Sequence, residues 1–516
     1  MPSINLLYNT IRPLKTRQIF FRLFYLARNK SNLQRNPYKV TRQNAELKPV
    51  QIVSPIFKQE SYIYPRTFHF LNQKYEFKNN IDWNYSGYGK LWTYNLNYFD
   101  FINQENVSRQ TGLGLIRDFI ESESNLIEGK EPYPTSLRLI NWLKFVYRYG
   151  IRDDKVNRFM IDDLHNLSRN VEYHLLANHL LENAIALTIG GYCLRQQTIF
   201  KQGISLLTEE LDEQICDDGA HFEKSPMYHQ ILLDRLLDSI NFLGENHLLK
   251  KAAVSMLSWL DTITFSDGSI PHFNDSTSGI SPTTAQLKRY AGTLGIRSKK
   301  THLRNSGYRK YTSDNYELIA DGGDIGPSYQ AGHGHCDAGS FVLYVNQKPF
   351  IIDTGTSTYE PNDRRTYERS VESHNTSHPA GVEPCELWSS FRIARREAVH
   401  IKNASTNSLK ITRSLPYEKK QVLTRSFKCY NNRIDILDKT NIKDICKAYL
   451  HFSPDVDVIQ TNFGLKTPEA EIHLKNCNSF RIEDCEITDG FNRLKKTQKL
   501  VAAFTNHMGI LIHFVK

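Results

Sequence analysis

The sequence predicts a multidomain chain that is α first and β second. Three observations carry this. The 516 residues exceed what one hydrophobic core organises, so two or three domains are expected. From Trp92 to about residue 300, apolar residues recur at spacings of three and four, the helical period. After about residue 312 the period falls to two, the pattern of half-buried strands.

Residues 1–50 read as a basic N-terminal arm, with ten Lys or Arg against one acid, Glu46. That +9 leaves only +1 for residues 51–516, so overall charge implies no polyanion groove. The interleaved Phe and Leu residues favour a solvated helix packed by its apolar side chains. Peripheral contact with an anionic membrane stays open, whereas nucleic-acid binding has no recognised motif and is not expected. The leader-like stretch Ile19–Ala27 is interrupted by Arg22 and makes a poor secretory signal. No run of about 18 apolar residues exists, so no transmembrane helix is expected. A cytoplasmic or non-classically exported bacterial protein is the expectation. Eight cysteines without CxxC spacing read as reduced thiols.

Residues 51–310 are assigned to the helical domain. Its first forty residues are aromatic-rich without a clear period. Leu137–Val146, Tyr173–Leu187 and Ile231–Leu243 follow the helical period, separated by turn signals such as Asp217-Asp-Gly-Ala220. These sequential helices suggest an all-α unit of paired helices. His174, Asn178 and Glu182 fall at i, i+4 and i+8, with His179 and Asn183 as a neighbouring polar stripe. Polar groups in so apolar a helix line something. Ser225-Pro226 reads as an N-cap and first helical position. Tyr228 then sits in the first turn, where the helix dipole favours a tyrosinate.

Residues 311–516 are assigned to an antiparallel β domain of stacked sheets. Phe341–Val345 and Pro349–Asp353 flank a turn at 346–348, and Gln421–Tyr430 and Arg433–Lys439 flank Asn431-Asn432. The chain ends with Leu500–Thr505, a turn at 506–509, and Ile510–Val515.

The chemistry concentrates in Ala331-Gly-His-Gly-His-Cys-Asp-Ala-Gly-Ser-Phe341. Residues two apart on an extended backbone share a face, so His333 and His335 can aim into one site. Downstream lie Asp353 and His374. Three imidazoles and a carboxylate are a common zinc inventory, although the order matches no HExxH peptidase.

Asn178-His179, Glu223-Lys-Ser-Pro-Met-Tyr-His229, Gly334-His-Cys-Asp-Ala-Gly-Ser-Phe341, Asp353-Thr-Gly355 and His374-Asn-Thr376 occur in one order. This set resembles the heparinase II/III family of polysaccharide lyases and the related alginate lyases. The resemblance implies an incomplete (α/α) toroid followed by an antiparallel β-sandwich, and β-elimination at a 4-linked uronic acid of an acidic polysaccharide. It further implies that Asn178 masks the C6 carboxylate, that His179 assists or acts as a base, and that Tyr228 and His333 are the acid and base groups. His335, Asp353 and His374 match the family's metal positions, with a structural zinc or other divalent ion expected. Arg364, Arg365 and Arg369 read as substrate carboxylate or sulfate contacts or as members of a charge-paired loop. Arg138 and Glu223 are further substrate-contact candidates. A bacterial exopolysaccharide or capsule-type glycan is favoured as substrate.

Two rival readings stay open. A glycoside hydrolase on an α-toroid would need two carboxylates flanking the bond, with Asp217, Asp218 and Glu223 as candidates. A non-catalytic glycan-binding or exopolysaccharide assembly factor would keep the scaffold without the chemistry.

Overall fold

The computed structural model describes residues 3–30, 46–63 and 65–515. Part of the basic arm, residues 31–45, lies outside them. The described part of the arm is two helices, α1 (Ile4–Ile11) and α2 (Thr16–Lys30). The aromatic-rich stretch that lacked a period contains a small three-stranded antiparallel sheet over residues 62–76. Its Phe68 and Phe70 pack on Phe101 and Trp92, so aromatic contacts hold it to the helices.

The helical layer follows as α3 (Lys90–Tyr98), α4 (Arg109–Glu121), α5 (Pro132–Tyr149), α6 (Asp154–Arg169), α7 (Ala177–Cys193), α8 (Gln197–Gln214), α9 (Pro226–Leu243), α10 (His247–Ile263) and α11 (Thr284–Thr293). Helix α7 is buried almost all round and packs against α5, α8 and α9, as expected of a central helix without a polar face. Gly191 and Gly203 permit the close α7–α8 approach: a Cβ on either would fall 2.5 Å from the other helix's backbone. This is the toroid.

The strands of the second domain begin at Tyr308. Residues 308–351 form a four-stranded meander, and an eight-stranded antiparallel sheet runs from Ala398–Ala404 at one edge to Ile459–Thr461 at the other. Burial alternates along Val422–Tyr430 and Arg433–Thr440, placing Phe427, Ile434 and Ile436 inward. They meet Phe341, Leu343, Leu450 and Phe504 of the smaller sheets in one core, which makes this half a β-sandwich. The 341–351 hairpin turns at Asn346 and Gln347, both left-handed (φ 49° and 65°). The last two strands, Leu494–Phe504 and His507–Phe514, pair in different sheets. The 505–506 connection therefore carries the chain from one layer to the other and closes no hairpin. All eight cysteines are free thiols.

Candidate active site

Three separate parts of the chain converge at the toroid–sandwich junction. The first is the start of α7. Leu176 and Ala177 both have positive φ (64° and 53°), unusual for residues with a Cβ, and this kink starts α7 one residue before Asn178. His174 consequently lies ahead of the helix and not on its face, because the kink interrupts the helical spacing; it still lines the cleft. The polar stripe of α7 does line something. His179 Nδ1 lies 3.0 Å from Glu172 Oε1, and Asn183 donates to Glu172 Oε2 at 3.0 Å. Burial disfavours the charged His179 ring, but Glu172 outweighs it and raises the imidazole pKa.

The second part is the start of α9. The Ser225 hydroxyl caps the helix by accepting from Tyr228 N at 3.2 Å, and Pro226 occupies the first turn. The tyrosinate expectation is corrected: burial pushes the Tyr228 phenol well above its ordinary pKa, with Asp275 and Glu223 adding to the rise. Desolvation and nearby carboxylates outweigh the helix dipole, so Tyr228 rests as a phenol.

The third part is the loop before the sandwich strand Phe341–Val345. His333 Nδ1 lies 2.8 Å from Asp275 Oδ2. A carboxylate only accepts, so Nδ1 carries the proton and Nε2 presents a lone pair. That Nε2 sits 3.2 Å from Asn178 Nδ2, and the Tyr228 and His333 rings are in tilted contact, their centroids 4.0 Å apart. The Tyr228 hydroxyl lies 3.3 Å from that of Tyr359. Amide, phenol and imidazole thus share one wall of a cleft of about 570 Å³. Asn178 Nδ2 also donates to both oxygens of Glu223, at 3.1 and 3.0 Å. Burial raises the pKa of Glu223.

Asp275 was not among the residues singled out from the sequence, yet it joins both histidines. Its Oδ1 lies 2.8 Å from His335 Nε2, and Arg365 binds both of its oxygens. Burial works to raise its pKa, but Arg365 and the two histidines hold it well below the carboxylate range. Arg22 of α2 and Arg392 also line the cleft, and neither enters an ion pair among the described residues. Neither belongs to a motif, so only spatial proximity reveals them.

The arginines named from the sequence are placed differently. Arg138 is buried on Asp163 (2.7 Å) and the Gly129 carbonyl (2.7 Å), away from the cleft. Arg365 is spent on Asp275 and the Ser390 carbonyl, and Arg369 on the carbonyls of Gly334, Ser389 and Ser390. Arg364 pairs with Glu368 at 2.8 Å within the short helix α12 (Asp363–Arg369). These contacts leave the guanidinium groups without the free fork a substrate anion would need.

His335, Asp353 and His374 cluster behind His333. His374 Nδ1 lies 2.8 Å from Asp353 Oδ2, and the His335 and His374 rings are 5.3 Å apart. His335 Nδ1 and His374 Nε2 are buried without hydrogen-bond partners among the described residues. Two bare ring nitrogens in neighbouring rings suit a cation, although no group of three or more His, Cys, Asp or Glu among the described residues is arranged to hold one. Of the three hydrolase carboxylates only Glu223 lies at the site, on Asn178; Asp218 accepts from Arg304 N and Ser306, and Asp217 from Asn305.

A heparinase II/III N-terminal sequence profile matches residues 136–301, and a heparinase II/III-like C-terminal profile matches residues 296–512. The chain belongs to the heparinase II/III-like family. A heparin-sulfate lyase of Bacteroides thetaiotaomicron is 26% identical over 259 residues, covering 40% of this chain and 37% of that protein. One from Pedobacter heparinus is 24% identical over 208 residues, covering 34% and 31%. The chain therefore aligns with about a third of the length of these curated relatives. The crystal structure of heparinase III superposes with a TM-score of 0.64 at 16% identity, covering 85% of this chain and 80% of that one. A heparan sulfate lyase of Pedobacter heparinus gives 0.55 at 15%, covering 87% and 81%. These heparinase structures share the toroid-plus-sandwich fold.

Proposed function

We propose that this heparinase II/III-like protein is a polysaccharide lyase that cleaves a uronate-containing acidic glycan by β-elimination. The convergence of Asn178, Tyr228 and His333 in one cleft, with Glu223 buried against Asn178, is the observation that carries the reading. Elimination requires a masked C6 carboxylate, a base at C5 and an acid at the leaving O4.

Each requirement has a candidate. The Asn178 amide offers donors to the carboxylate and to the enolate-like charge that grows there, and burial biases the adjoining Glu223 towards its protonated form. His179, whose imidazole pKa is raised by Glu172, adds to that field in its protonated form. His333 Nε2 takes the C5 proton, and the C5–H electrons form the C4–C5 double bond. The C4–O bond breaks, and Tyr228 gives its proton to the departing oxygen. A buried phenol holds its proton at rest and suits the acid role; general acids and bases contribute roughly 10²–10⁴-fold each. Arg22 and Arg392, unspent on protein carboxylates, are the anion contacts in place of the buried arginines. A structural divalent metal, zinc by donor type, would be held by His335, Asp353 and His374 and would fix the loop that carries His333. Elemental analysis of the purified protein, with and without chelator, measures it.

The substrate class is an acidic polymer, and a bacterial exopolysaccharide or capsule-type glycan is the favoured member. The test is incubation with heparan sulfate, chondroitin, alginate and bacterial uronate exopolysaccharides. Ultraviolet absorbance of an unsaturated uronate growing with new reducing ends supports elimination. Reducing ends without the absorbance indicate hydrolysis and overturn the reading. Glycan binding without any product on the whole panel would instead favour a binding or assembly role.

A further inference from the structure

The two arm helices are amphipathic in the reverse of the usual sense. The side of α2 that meets the toroid is polar. Gln18 donates to the Leu175 carbonyl (3.2 Å), Tyr25 to the Val171 carbonyl (2.5 Å), and Arg17 to Glu209 (2.8 Å). The side turned to solvent is apolar: Phe20 and Leu23 are 61% and 62% exposed, with Phe24 and Leu26 beside them. Helix α1 repeats the arrangement. Thr10 is buried and accepts from Trp388 Nε1 at 3.0 Å, while Ile4, Tyr8 and Ile11 are exposed. The sequence expectation of a helix packed by its Phe and Leu residues is therefore overturned, because polar anchors hold α2 and leave most of those side chains outside. Phe21, against Tyr173, is the exception.

A monomer in water has no use for so many large apolar groups on two adjacent helices. Charge indicates what covers them. The first acidic residue of the chain is Glu46, and residues 1–30 carry six Lys or Arg. Arg12 and Lys30, at the ends of α1 and α2, are exposed and unpaired with any carboxylate among the described residues. Aromatic and aliphatic side chains on one face with cations at its margins are the composition of an interfacial helix. Among the described residues no helix is long and apolar enough to cross a membrane, so the arm would lie on the surface.

We propose that α1 and α2 dock this protein in-plane on an anionic lipid surface. Because Leu14, Gln18 and Arg22 from the same segment line the cleft, docking would hold the cleft mouth beside the membrane. The inference does not depend on the reaction the cleft performs.

Co-sedimentation of the full chain with vesicles tests it. One set is phosphatidylcholine alone; the other contains phosphatidylglycerol as well. Binding is expected to the anionic vesicles, to weaken with salt, and to fall by about tenfold or more in Phe20→Ser/Leu23→Ser/Phe24→Ser, whose thermal midpoint should match wild type. Arg12→Glu/Lys30→Glu, which touches no packed residue, should also weaken it and serves if the apolar variant does not fold. Absence of wild-type binding to anionic vesicles at low salt overturns the proposal, as does equal binding to both vesicle types. A wild-type dimer that becomes monomeric in the triple variant, without vesicle binding, would assign the face to a second copy instead.

Discussion

Asp275→Asn removes one charge and keeps the shape. In the wild type this carboxylate binds Arg365 through both oxygens and also holds His333 and His335 at 2.8 Å. Asp275 and the Arg365 side chain are both buried, at 0% and 2% exposure. Leaving a buried cation uncompensated costs about 3–5 kcal/mol. The amide can also present N–H to His333 Nδ1, which then accepts, and Nε2 becomes the protonated nitrogen that cannot take a proton from C5. We expect kcat to fall by on the order of 10²–10⁴-fold, with KM changed much less. Denaturant unfolding and steady-state ultraviolet assays measure the two effects. Adding Arg365→Met should return most of the lost stability, since no unpaired charge remains, while kcat stays low. A single variant with wild-type stability and kcat would refute the role assigned to Asp275. Recovery of both quantities in the double variant would show that the carboxylate acts only through the fold.

Three other predictions concern charge. Glu182 is buried with both oxygens lacking hydrogen-bond partners among the described residues, and burial, opposed by Arg235, raises its pKa from 4.5 to about 7. The unfolded chain releases that proton first, so stability should fall by about 3 kcal/mol as pH rises through this window; Glu182→Gln should flatten the loss in unfolding experiments across pH. Glu223 is likewise raised by burial, so KM for a uronate polymer should climb as pH rises through its titration and the carboxylate begins to repel substrate. Glu223→Gln should abolish that climb, and a KM with unchanged pH dependence would count against a part for Glu223 in substrate binding. Arg22→Ala and Arg392→Ala should each raise KM about tenfold with kcat nearly constant, the loss of one charge-assisted contact, whereas Arg138→Met should lower stability without that KM signature.

Features set by local chemistry were legible in the sequence. Ser225-Pro226 caps α9 because a hydroxyl acceptor and a fixed φ suit a helix start wherever it lies. The 341–351 and 422–440 hairpins follow from alternation around short turns. Asn178, Tyr228 and His333 were identified through their motifs, and the fold brings them together. Features set by distant partners were not legible. Asp275 sits in His272-Phe-Asn-Asp-Ser-Thr-Ser-Gly279, which reads as an ordinary polar loop, and its partner His333 is 58 residues away. Whether an arginine binds substrate depends on whether a carboxylate or carbonyl reaches it first, and spacing does not report that. This separates Arg365 from Arg392. The direction of the Tyr228 shift was misjudged for a related reason: a helix start is local, whereas burial is a property of the whole cleft.

Cleavage in ¹⁸O-labelled water tests the central claim most directly. Elimination draws no oxygen from solvent, so mass spectrometry should find unlabelled, unsaturated non-reducing ends, and none from His333→Ala or Tyr228→Phe beyond residual rates. Saturated products whose newly formed ends carry ¹⁸O from the cleavage itself would show that water attacks the glycosidic bond and would contradict the account.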